Sequence, residues 1–137
     1  MAASAVVDAG FLIALLHRRD RHHRWAADQG ERNPPPWATC EAVISEAAHV
    51  LGRAGQRSLT ALLQRDALVC SFRFAENQDA VLGLLEKYAS VPMSFADACL
   101  VRMTEILDEP LLLTADSDFR IYRRHGRRVV PCVLPRE

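Results

Sequence analysis

The chain has 137 residues, half of them hydrophobic and a quarter charged, which suffices for one folded domain with a useful core and is short for two. Basic and acidic side chains balance at seventeen each, so net charge offers no general attraction to nucleic acid or membrane, and local clusters must supply any that exists. No stretch is apolar for long enough to span a bilayer, nothing near the start reads as a signal peptide, and the four cysteines lack metal spacing, so a reduced, cytoplasmic protein is expected.

Ser4 to Asp8 (SAVVD) is a short valine-rich run ending at an acid, which predicts a buried strand. Residues 11–30 predict one or two helices stopped by Gly30, and Asn33-Pro34-Pro35-Pro36 marks a rigid connection. From Cys40 to Ala54, the residues Val43, Ala47, Val50, Leu51 and Ala54 recur at helical spacing. Gly55 is expected to end that helix, and Ser58 to cap another over 58–66. Residues 67–74 read as a strand, 75–90 as a helix weakened by Gly83, and Pro92 as a break. Ser94 to Leu107 carries a helical stripe of Ala96, Cys99, Leu100, Met103, Ile106 and Leu107. Leu111 to Thr114 is a strand, 118–126 a short helix or turn, and 128–134 a last strand that Pro131 confines to an edge. Strands alternating with helices predict an α/β fold: a three-layer α/β/α sandwich with a central, mainly parallel sheet, forming one domain over 1–137.

Parallel sheets bind ligands beyond the carboxyl ends of their strands. Asp8 ends the first predicted strand and Asp116 follows the strand at 111–114, although either acid alone would serve equally as a helix cap. Glu46 lies three after Val43 and four before Val50, which places it on the inward face. There it must pair, with Arg53 for instance, or bind a metal. Asp97 completes a capping box with Ser94, yet also borders the buried stripe. Four carboxylates brought together would not all stay ionised without a counter-charge. Mg²⁺ and Mn²⁺ choose such oxygen-only sites and suit phosphodiester hydrolysis, where they acidify water and steady the leaving oxygen.

Positive charge gathers in HRRDRHHR (17–24) and RIYRRHGRR (120–128). Arg18, Arg19, Arg24, Arg120, Arg123 and Arg124 are the candidates for contact with an RNA backbone, against the plainer reading of a solvated face. His17, His22 and His23 do not fall on one helical face, which argues against zinc. Trp25 and Trp37 are assigned to packing rather than to base stacking, and the cysteines to small buried hydrophobes.

Taken in order, VVDAGFLIALL, ISEAAHVL, PMSFADACLV and LLLTADSDF resemble the blocks of the PIN-domain family, from about Ala5 to Val133. Compact chains of this kind resemble the VapC-type toxins of type II toxin–antitoxin pairs. The resemblance implies a Mg²⁺- or Mn²⁺-dependent endoribonuclease whose catalytic and metal-binding acids are Asp8, Glu46, Asp97 and Asp116. Thr114 matches the hydroxyl residue before the fourth acid, and Asp118 the place of a further acid. RNA as substrate, a small antitoxin as inhibitor, a homodimer and no membrane association follow from the same resemblance. The competing reading is a non-catalytic RNA-binding or regulatory domain of the same fold, which would show no saturable Mn²⁺ binding. Phospho-receiver and haloacid-dehalogenase readings fare poorly, because the sole lysine, Lys87, lies in a helix and Asp8-Ala9-Gly10 lacks a second acid.

Overall fold

The computed structural model describes residues 3–108 and 110–136. In chain order the first elements are β1 (Ala5–Val7), α1 (Ala9–Leu16), α2 (His23–Arg32), β2 (Trp37–Thr39), α3 (Glu41–Gln64) and β3 (Leu68–Cys70). They are followed by α4 (Gln78–Lys87), α5 (Phe95–Ile106), β4 (Leu112–Leu113), β5 (Arg123–Arg124), β6 (Arg128–Val129) and β7 (Cys132–Val133). Single 3₁₀ turns occupy Phe74–Glu76 and Ser117–Arg120. Five strands form one sheet in the order β3-β2-β1-β4-β7, every pair parallel. Helices flank it: α1 packs on α2 and α3, and α5 on α4, α3 and β1. The expected α/β architecture with a central parallel sheet is therefore present. Among the described residues, no helix is long and apolar enough to cross a membrane.

The central position of β1 explains its composition. A strand paired on both edges and covered on both faces excludes water, and Ala5, Val6 and Val7 are all buried. Register then decides which side chains meet at the strand ends. Val6 pairs with Leu112 and Val7 with Leu113, so the next residue on each strand, Asp8 and Thr114, emerges side by side at the carboxyl edge.

Several boundaries differ from those read in the sequence. β2 was not anticipated, because three residues behind a proline run are too few to show a period; it is nonetheless buried between β1 and β3. Gly30 does not stop α2, which runs to Arg32, and a Cβ there would make an ordinary contact with the Trp37 ring at 3.5 Å. Ser58 lies inside α3 rather than capping a new helix. The run at 128–134 divides, with β6 returning antiparallel on β5 while β7 takes the sheet edge, where Pro131 is tolerated. All four cysteines are free thiols, Cys40 and Cys99 fully buried.

The interruption of α3 falls at Gly52, not Gly55. Gly52 adopts φ 68 and ψ −170, a region open essentially to glycine alone, and a Cβ there would meet nothing within 4 Å. Gly52→Ala therefore tests backbone strain without a packing change. It is expected to cost about 1–3 kcal/mol, read as a lower urea midpoint at unchanged m-value.

Candidate active site

Asp8 stands at the point where β1 gives way to α1, and its extended backbone makes it the cap of that helix. Its Oδ1 accepts the Phe11 amide at 2.8 Å, satisfying one of the free N–H groups of the first turn. Its Oδ2 accepts the hydroxyl of Thr114, which the β1–β4 register sets beside it. Thr114 Oγ1 in turn accepts the Asp116 amide at 2.9 Å, and Asp116 Oδ1 accepts the Asp118 amide at 2.9 Å, capping the 3₁₀ turn. One continuous chain of hydrogen bonds thus runs from Asp118 to Asp8.

Asp97 arrives from the opposite side, on the first turn of α5. The capping box is formed: Ser94 Oγ accepts the Asp97 amide at 3.0 Å, and Asp97 Oδ2 accepts the Ser94 amide. The same oxygen accepts the Tyr122 hydroxyl at 3.0 Å. Tyr122 is fully buried, wedged edge-to-face against Phe119 and Tyr88, so its donor is held in place. The capping roles weighed for Asp8, Asp97 and Asp116 are all real. They occupy only part of each carboxylate, which has about four acceptor positions.

These acids line a single cavity of about 590 Å³, together with Glu46, Gly10 and Asp118. Glu46 requires a correction. It is exposed at the wall of the cleft rather than packed inward, because α3 turns Val43 and Ala47 to the core and leaves position 46 at the margin. Val50, used to define that inward face, is itself 59% exposed. The suggested Glu46–Arg53 pair does not form; among the described residues the ion pairs are Arg73–Glu76 and Arg102–Glu105. No arginine or lysine among the described residues neutralises the acids of the cleft.

The electrostatic result is large at Asp8, which is 6% exposed. Burial pushes its carboxyl up to about 7; the charges of Asp116 and Asp97 add to the rise, while hydrogen bonds from Thr114 and Phe11 oppose it. Burial likewise raises the Asp97 carboxyl, with Asp116 adding and the Tyr122 and Ser94 hydrogen bonds opposing. Among the described residues, no three His, Cys, Asp or Glu side chains converge on one point as an ion cage would require. The carboxylates share a cleft instead. Their chemistry still fits a hard divalent cation: the donors are oxygen only, mutually repelling and without a counter-charge.

Two contributors escaped the sequence reading. Tyr122 lies in a basic run whose pattern gives no hint of a buried ring. Gly10 lets the start of α1 approach the loop after β4, since a Cβ there would sit 3.3 Å from Ala115 Cβ. Of the arginine candidates, Arg123 is taken up by the carbonyls of Arg120, Ile121 and Tyr122, and Arg124 by that of Thr104. Arg18, Arg19, Arg24 and Arg120 remain exposed.

A parallel α/β sheet whose strand ends and first helical turns deliver uncompensated acids to one cleft defines a class of acid-lined α/β domains. Residues 5–124 match the family model described as PIN domain, and the chain belongs to that family. Its fold is similar to the crystal structure of VapC20 from Mycobacterium tuberculosis, a toxin described as cleaving the sarcin–ricin loop. The match has a TM-score of 0.74 at 21% identity, over 90% of this chain and 98% of that one. None of the curated proteins matches the sequence.

Proposed function

We propose that this chain is a Mg²⁺- or Mn²⁺-dependent endoribonuclease, the toxin of a type II toxin–antitoxin pair acting in the cytoplasm. The observation that carries the reading is the buried Asp8 carboxyl, raised to about 7 in a cleft that Asp97, Asp116 and Glu46 share and that no arginine or lysine among the described residues neutralises. Such an arrangement weakens folding unless something positive binds there. Family membership and the likeness to an RNA-cleaving toxin favour RNA as the substrate.

Asp8, Asp97 and Asp116 would hold the ion, with Glu46 at the rim. When bound, it supplies Lewis acidity and a counter-charge for phosphodiester hydrolysis. The protein's own residues set the stage. Thr114 fixes the Asp8 carboxylate, the Asp118 amide fixes Asp116, and Tyr122 with Ser94 fixes Asp97. Asp8 would have to give up its proton to hold a cation, so affinity is expected to fall with acidity. The same reading makes residues 1–137 one domain that forms a homodimer and is silenced by a small antitoxin.

The test is cleavage of RNA fragments with Mg²⁺, with Mn²⁺ and with EDTA. Cleavage is expected only with a divalent ion. Asp116→Asn, which keeps the turn cap, should lose about a hundredfold or more of the rate without a lower melting temperature. Undiminished cleavage in EDTA would refute the metal, and a protein that binds RNA but never cuts it would be the non-catalytic domain.

A further inference from the structure

A second cavity, of about 420 Å³, adjoins the acidic cleft, and Ala115 and Ser117 line both. Its charged lining is of one sign. Arg21 and His22 come from the entry to α2, Arg120 from the 3₁₀ turn, and Arg136 from the segment beyond β7. The three guanidiniums have no carboxylate partner among the described residues. They also differ from Arg123 and Arg124, whose donors are spent on carbonyls.

Like charges held together repel, and an anion seated among them removes that cost. Guanidinium forks match phosphate oxygens in pairs. The cleft next door has the opposite problem. A nucleic acid strand entering it meets Asp8, Asp97, Asp116 and Asp118, so its attraction must come from adjacent cations. The shared wall puts those cations beside the acids. On the far side, Arg21, His22 and Arg136 also line a third cavity with Arg24 and Arg32, where Asp28 is the single acid among the lining residues.

Building on the nuclease reading, we propose that the cavity of Arg21, His22, Arg120 and Arg136 is a phosphate subsite. It holds a backbone phosphate of single-stranded RNA next to the bond presented to the acids, and Arg24 and Arg32 continue the path. Arg21 and Arg136, which the sequence did not single out, are the positioning residues.

The test is fluorescence anisotropy of a short labelled oligouridylate in EDTA, across a salt series. It is paired with calorimetric titration of Mn²⁺ into the same proteins without RNA. The Arg21→Ala/Arg136→Ala protein is expected to bind RNA about tenfold more weakly or worse. Its log Kd against log salt slope should fall by about 0.7 for each phosphate no longer neutralised. Its Mn²⁺ affinity and melting temperature should match the parent's, and Arg57→Ala, an exposed position on α3 that lines neither cavity, should bind RNA as the parent does. Unchanged RNA affinity and slope in the double variant would overturn the subsite, as would a parent that binds no RNA. Unchanged RNA binding with lost binding of an oligoglutamate peptide would reassign the cavity to an acidic protein segment and overturn it too. The two readings fail separately. Arginine-dependent RNA binding without Mn²⁺ uptake sinks the nuclease alone, whereas Mn²⁺-dependent cleavage with arginine-independent binding sinks the subsite alone.

Discussion

Above pH 7 in EDTA, the Asp8→Asn protein will melt at a higher temperature than its parent, and with Mn²⁺ restored it will not cut RNA. Both effects come from one carboxylate. Below pH 3.8 the folded and unfolded chains both hold the proton, and burial costs nothing extra. As pH rises from there to about 7, the unfolded chain ionises while the folded one must stay protonated, so stability is progressively lost. Over that span the loss is on the order of 4 kcal/mol, at about 1.4 kcal/mol per pH unit. Asparagine does not titrate, and its carbonyl can still accept the Phe11 amide, so the variant escapes the loss while keeping the cap. Activity should fall at least about a thousandfold, since a ligand anion worth several kcal/mol at the transition state is gone. Melting curves from pH 4 to above pH 7 decide the matter: parallel pH trends for parent and variant would mean that Asp8 is not held protonated.

Phe11→Ala should produce the largest loss of stability. Phe11 is wholly buried and meets Trp37 at 5.3 Å and Trp25 at 5.9 Å, edge-to-face in both cases. One ring therefore joins α1 to α2 and to β2. Its removal leaves a cavity and two aromatic faces without a partner, at a cost of about 3–5 kcal/mol and a melting point lower by about 10 °C or more. The substitution keeps the backbone N–H that Asp8 accepts, so the loss is expected in folding rather than in the hydrogen bonds of the cleft. A variant that melts within a few degrees of the parent would show that α2 is held by other contacts.

Legibility followed the length over which each signal repeats. α5 has a capping box and an apolar stripe, and Ser94 and Asp97 could be read before any coordinates. β1 announced itself by a valine run that only a doubly covered strand needs. β2, at three residues, has no period to read, and Trp37 and Ala38 are buried through pairing that the local sequence does not encode. The inward placement of Glu46 failed for a related reason, although the residue does line the cleft. Helical spacing gives a direction around the axis but not where the packed face ends, and α3 leaves both Glu46 and Val50 outside it. Arg21 and Arg136 are 115 positions apart in sequence numbering and share a cavity only because the segment beyond β7 returns to the entry of α2. Tyr122 reaches Asp97 by the same kind of long-range closure.

The hydrogen bond from Thr114 to Asp8 spans 106 positions of sequence. A ribosome making this chain releases Asp8 well before Thr114, with no neighbour on the edge that β4 will later occupy. Until the residues from β4 onward have emerged, there is no Thr114 to orient that carboxylate, no Asp116 beside it and no Tyr122 to steady Asp97. A growing polypeptide therefore carries its acids without a working cleft. The pocket closes only once the segment carrying Thr114, Asp116 and Tyr122 has been made and has folded back onto β1 and α5.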